Sequence, residues 1–112
     1  MAELTDLFAS RSLMKEFNLS KQQLNILSLV QILHLKGQRT TMRALIDNFN
    51  LAKENPTLGA DLIKLRESGY LKYERNKRGQ RVNMNFYSPG LKMVYLEERY
   101  KELCYEFSGS RF

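Results

Sequence analysis

Apolar residues recur along this chain with two different periods, and the switch between them marks its organisation. From Glu3 to Phe17, the residues Leu4, Leu7, Phe8, Leu13, Met14 and Phe17 fall at helical spacing, interrupted by Arg11, and predict a first helix. Ser20 followed by Gln23 is a capping-box pattern, in which hydroxyl and amide each satisfy a backbone N–H that a new helix leaves free. The segment behind it carries Leu24, Ile26, Leu27, Leu29, Val30, Ile32 and Leu33, is apolar around most of its girth, and is expected to be the buried spine, ending at Gly37. Thr40 or Thr41 is placed to cap a short third helix with Met42, Leu45, Ile46 and Phe49, which breaks at Asn48 to Asn50. Asn55-Pro56 then opens a fourth, with Asn55 as N-cap and Pro56 where its missing N–H is not needed. Leu58, Leu62, Ile63 and Leu65 are expected on its inner face, and Gly69 stops it.

After Gly69 the period becomes two. Leu71 and Tyr73 alternate with Lys72 and Glu74, and Val82, Met84 and Phe86 alternate with Asn83, Asn85 and Tyr87. The polar stretch from Asn76 to Gln80 joins the two runs, so a β-hairpin with a basic tip is predicted. Ser88-Pro89 is read as the start of a last helix, in which Met93, Leu96, Tyr100, Leu103 and Phe107 repeat in steps of three and four. That seam suits either a protomer's own core or a second subunit. Because Val94, Tyr95, Cys104 and Tyr105 widen it, we expect a homodimer through Leu4, Leu7, Phe8, Met93, Leu96, Tyr100, Leu103 and Phe107. The expected fold class is mainly α with a small β-hairpin (α+β), as one domain over 1–112: an N-terminal helix (1–18), a winged helix-turn-helix core (20–87) and a C-terminal dimerisation helix (88–108).

Charge sharpens this outline. The 112 residues carry a net +6, and its placement is uneven: between Lys72 and Arg81, five cations face the single acid Glu74, whereas both ends are close to neutral. A basic middle points to a polyanion, and two short helices followed by a hairpin point to duplex DNA. No run reaches the roughly 20 apolar residues of a membrane span, so no membrane partner is expected. The acids in Met1-Ala2-Glu3-Leu4-Thr5-Asp6 argue against an export signal, and the lone Cys104 fits a reducing compartment, so a cytoplasmic, nucleoid-associated protein is expected. A single His34 and a single Cys104 on different helices form no metal-ligand spacing, and no phosphate loop or nucleophile motif occurs, so neither an enzyme, a metal nor a cofactor is expected. His34 is read as a packing or cap residue, and Cys104 as a small hydrophobe.

The order of these pieces resembles a known family. Leu19 to Leu27 is similar to the "LT..Q...L" opening of MarR-type regulators, Met42 to Leu51 to their "..eLa..l.l" helix, and Leu65 to Leu71 to the "L...G.v" junction before the wing. The likeness covers about Leu19 to Gly90, and the short chain looks most like the single-domain SarA-type branch. Two positions depart from the pattern: Gly79-Gln80-Arg81 lacks the acid that usually precedes the wing arginine, and Tyr87-Ser88-Pro89-Gly90 is one residue shorter than its counterpart. The resemblance implies a homodimeric, sequence-specific regulator of transcription.

The residues expected to carry binding follow from these elements. On the fourth helix and its approach they are Lys53, Asn55, Thr57, Gly59, Ala60, Asp61 and Lys64, whose side chains include partners for adenine, guanine and the thymine methyl. On the wing they are Arg75, Lys77, Arg78, Gln80 and Arg81, and on the preceding helix and loop Lys36, Arg39, Thr41 and Arg43 are expected to touch the DNA backbone. Two other functions fit the same features, a plasmid or phage DNA-maintenance factor and a winged-helix protein-interaction module. No small-molecule effector is indicated by the sequence.

Overall fold

The computed structural model describes residues 2–49, 56–75 and 85–109. Their order is α1 (Ala2–Phe17), α2 (Lys21–Leu35), β1 (Thr40–Thr41), α3 (Met42–Phe49), α4 (Pro56–Glu67), β2 (Leu71–Arg75), β3 (Asn85–Pro89) and α5 (Met93–Gly109). The capping box forms as its residues dictate: Gln23 N donates to Ser20 Oγ at 3.1 Å, and Ser20 N donates to Gln23 Oε1 at 2.9 Å. Helix α2 is the spine, with Ile26, Leu27 and Val30 at most 1% exposed. Its last turn emerges from the core, leaving Ile32, Leu35 and His34 exposed; His34 serves the cap through its carbonyl, which accepts from Gly37 N at 2.9 Å.

Helices α1, α2 and α4 end alike. The chain turns left-handed at Asn18, Gly37 and Gly69, and in each case the next residue's N–H reaches back five positions, from Leu19 to Met14 O, Gln38 to Leu33 O and Tyr70 to Leu65 O. This is the Schellman closure, which satisfies a carbonyl that a helix end otherwise strands.

The sheet is larger than a hairpin. β2 and β3 pair antiparallel from Leu71↔Pro89 to Arg75↔Asn85, and β1 adds a third strand on the other side of β3, with Thr40↔Tyr87 and Thr41↔Phe86. Two residues carry no alternation to read, so β1 has no signature in the sequence. The β3 strand also runs through Ser88 and Pro89, which corrects their reading as a helix start. The reason lies in the α4–β2 turn: Gly90 N donates to Tyr70 O at 2.8 Å and Lys92 N to Gly69 O at 3.1 Å, so the backbone stays pinned to that turn until Met93. The remaining part of the second predicted run, 82–84, lies outside the described residues.

Helix α5 packs against α1 and closes the core. Met93, Leu96 and Leu103, three of the residues expected at a dimer interface, are 3–5% exposed, so this part of the seam is buried inside the chain. Tyr100 donates to Asp6, and Phe107 lies 5.7 Å from Phe8 ring to ring. The side chain of Leu4, expected at the same interface, lies outside the described residues. Arg99 grips Glu16 of α1 with two hydrogen bonds of 2.8 Å and also reaches Glu102 at 2.9 Å. The hydrogen bonds from Arg99 hold the Glu16 carboxyl below the usual glutamate range.

Two outcomes are expected. A Cβ on Gly90 would collide with the Gly69 carbonyl oxygen and sit 2.9 Å from the Tyr70 carbonyl carbon, so Gly90→Ala should lower the thermal midpoint by several degrees in a circular-dichroism melt. Since the folded pKa of Glu16 is depressed, its contribution is present above the ordinary glutamate pKa and lost as pH falls through the folded value. Melts of wild type and Glu16→Gln should therefore differ at pH 7 and converge as the pH is lowered past that value.

Candidate nucleic-acid interface

Helix α4 begins at Pro56, as the N1 preference of proline dictates. Its buried seam is Leu58, Leu62 and Leu65, each at most 2% exposed, a step of four followed by a step of three. That seam decides what faces outward. Thr57, Ala60, Ile63 and Lys64 are exposed. Ile63 corrects the expectation of an inward side chain: successive helical residues lie about 100° apart, so with Leu62 on the seam its neighbour is turned off it, and Ile63 is 51% exposed. Gly59 has no described atom within 4 Å of where a Cβ would stand, so close packing on α3 does not account for it among the described residues.

Asp61 departs from the outward face expected of it, because its carboxylate is turned to α2. Gln22 Nε2 donates to Oδ2 at 2.7 Å and Gln23 Nε2 donates to Oδ1 at 3.0 Å. On the flank toward the sheet, the Arg66 guanidinium lies 4.7 Å from the centre of the Tyr73 ring, which meets Tyr87 edge-on at 5.6 Å. Arg66 is not among the expected site residues, although a cation in the last turn of a helix leading into a wing is a signal that could have raised it.

The root of the wing is β2 and β3. Arg75 ends β2 opposite Asn85, while Lys77, Arg78, Gln80 and Arg81, with Lys53 and Asn55 ahead of α4, lie outside the described residues. Arg39 joins this root: its guanidinium pairs with Glu74 of β2 at 3.2 Å and stands 5.4 Å from the centre of the Phe86 ring. Arg43 pairs with Asp47 one helical turn on, at 3.4 Å. Both pairs are more than half exposed, and pairs so placed are worth under about 1 kcal/mol, so a phosphate can replace the carboxylate. Lys36 is exposed beyond α2. The Thr41 hydroxyl is already engaged, accepting from Ala44 N at 3.1 Å to cap α3.

The arrangement is thus a helix with a small, weakly charged outward face, bonded through Arg66 and Tyr73 to a two-stranded wing root that carries Arg39. No family model matches the sequence, and no curated protein matches it. Solved structures do. The transcriptional regulator Tm0710 from Thermotoga maritima superimposes with a TM-score of 0.76 at 19% identity, over 96% of this chain and 69% of that one. A mutant of MepR from a multidrug-resistant S. aureus clinical isolate gives 0.71 at 12% identity, over 89% and 68%. MarR gives 0.56 at 20% identity, over 89% and 72%. The fold is the MarR-type winged helix-turn-helix. In that plan the α3–α4 pair is the helix-turn-helix and β2–β3 the wing.

Away from that face, an open groove of about 930 Å³ runs between α1, α2 and α5, lined by Leu7, Met14, Leu24, Ile32, Met93 and Leu96. Among the described residues no group of His, Cys, Asp and Glu is placed to hold a metal ion, and no helix is long and apolar enough to cross a membrane.

The Arg39–Glu74 pair makes a prediction. Glu74→Gln removes the carboxylate and leaves Arg39 on Phe86, so affinity for a duplex should rise severalfold at low salt, with a steeper fall as salt is added, in a fluorescence-anisotropy titration.

Proposed function

We propose that this protein is a double-stranded DNA-binding transcription regulator that works as a homodimer, with α4 in the major groove and the wing on the neighbouring minor groove or backbone. The observation that carries the reading is the outward face of α4: Thr57, Ala60 and Lys64, all expected to face bases, are exposed opposite the buried leucine seam. Lys suits guanine O6 and N7, and Thr and Ile suit the thymine methyl, so Ile63 joins the candidate base-reading set. Gly59, open to solvent-side approach, lets backbone come near the duplex. Lys36, Arg39 and Arg43 from the preceding elements supply phosphate contacts, and Arg75, Lys77, Arg78, Gln80 and Arg81 supply those of the wing. Lys53 and Asn55 complete the set on the approach to α4.

The homodimer in this reading uses the apolar residues of α1 and α5 that the protomer leaves uncovered. Leu7 and Phe8 remain from the original set at 45% and 42% exposure, and Val94, Tyr95 and Tyr105 replace the buried part of the α5 seam. Two copies would double the footprint on a palindromic site. Kinship with the short SarA-type branch belongs to the same proposal. A DNA-maintenance role uses the same surface and differs only in the site bound, whereas a protein-interaction module would not need the cations.

Selection of genomic fragments by the purified chain tests the function. Fragments from promoter regions are expected, with the logarithm of affinity falling linearly against the logarithm of salt at a slope of several units. Enrichment of an origin or an iterated array would favour DNA maintenance. Binding that ignores salt would remove the basic surface from the account altogether.

A further inference from the structure

The apolar seam of α4 fastens the helix but defines its rotation only coarsely. Close packing of Leu58, Leu62 and Leu65 resists a large roll, whereas burial itself is non-directional and specifies a small one less sharply than a hydrogen bond does. A major-groove reader cannot tolerate that roll, because base edges are read by directional hydrogen bonds and close methyl contacts.

Asp61 sits where such a roll would be felt. It flanks the seam on the α2 side, and both of its carboxylate oxygens are occupied, Oδ2 by Gln22 Nε2 at 2.7 Å and Oδ1 by Gln23 Nε2 at 3.0 Å. Gln23 is a fixed post. It is 5% exposed, and its Oε1 is held by Ser20 N at 2.9 Å within the capping box, so the same amide that closes the N-terminus of α2 presents its Nε2 to α4. Gln22 is half-buried beside it. The capping box of one helix is thereby wired to the flank of another, 38 residues further along the chain.

We propose that Asp61 is a positioning residue: clamped by Gln22 and Gln23, it sets the rotation of α4 about its own axis, and with it which of Ala60, Ile63 and Lys64 meets the bases. The inference rests on the DNA-binding reading above and adds a determinant of specificity to it. It differs from a simple charge effect, in which a carboxylate near the DNA would only repel phosphates.

Asp61→Asn and Asp61→Ala separate the two. The asparagine variant keeps an oxygen for Gln23 Nε2, and the Gln22 amide, turned end over end, offers its oxygen to the new Nδ2, so the clamp survives without charge. Alanine removes it. The measurement is the ratio of affinities for a selected genomic fragment and an unrelated duplex of equal length, with a melt of each variant. Asp61→Ala should lose about tenfold or more of that ratio, the scale of one lost bidentate base contact, while its affinity for the unrelated duplex and its salt slope match those of Asp61→Asn, since both variants lose the same charge. Asp61→Asn should keep the ratio to within about twofold. Identical ratios in the two variants, or an undiminished ratio in Asp61→Ala, overturns the proposal. Should Asp61→Ala fail to fold, Gln22→Ala, which leaves the capping box intact, must show a smaller loss of the same ratio for the proposal to stand. A wild-type chain that prefers no fragment at all would sink the DNA-binding reading and this proposal with it, whereas a wild-type preference that Asp61→Ala retains sinks the proposal alone.

Discussion

The burial of α2 is the constraint on which the other elements depend. Ile26, Leu27 and Val30 are sealed at 1% exposure or less, and each such side chain contributes about 1.5–3 kcal/mol when fully removed from water. A hydrogen bond contributes about 1 kcal/mol net. Apolar burial therefore decides that α4 and the sheet gather around the spine and that α5 lies along α1. Directional contacts decide how they sit once gathered: the amides on Asp61, the guanidinium of Arg66 over Tyr73, and the fork of Arg99 on Glu16.

Much of the architecture was legible because local chemistry dictated it. Ser20 with Gln23, Gly37, Pro56 and Gly69 each act within a few residues of themselves, and each marks a boundary where the sequence placed it. What stayed hidden depends on partners far along the chain. Strand β1 exists because β3 offers it an edge. Ser88-Pro89 reads equally as a helix start or a strand end, and only the carbonyls of Gly69 and Tyr70 settle it. The seam on α5 has a spacing that suits an internal core and a subunit contact alike. Its closure by α1, through Arg99 and Tyr100, is a tertiary fact that no window of residues displays.

The candidate binding face was legible in part for the same reason. Thr57, Ala60 and Lys64 follow from the helical period once the seam is known. Asp61 shares their polarity but not their direction, because Gln22 and Gln23 supply donors from another helix. Ile63 shows the converse: an apolar residue placed outward by geometry, where composition alone would bury it. Cations too were found by type rather than by state. Arg39 and Arg43 each already rest against a carboxylate, so their positive charge is partly neutralised within the chain.

The junction at Gly90 has a mechanical corollary. Because the amides of Gly90 and Lys92 hang directly from the carbonyls of Tyr70 and Gly69, the leading end of α5 and the trailing end of α4 share one short joint. Tilting α5 away from α4 has to stretch both of these hydrogen bonds, so the two helix ends travel together for as long as the bonds hold.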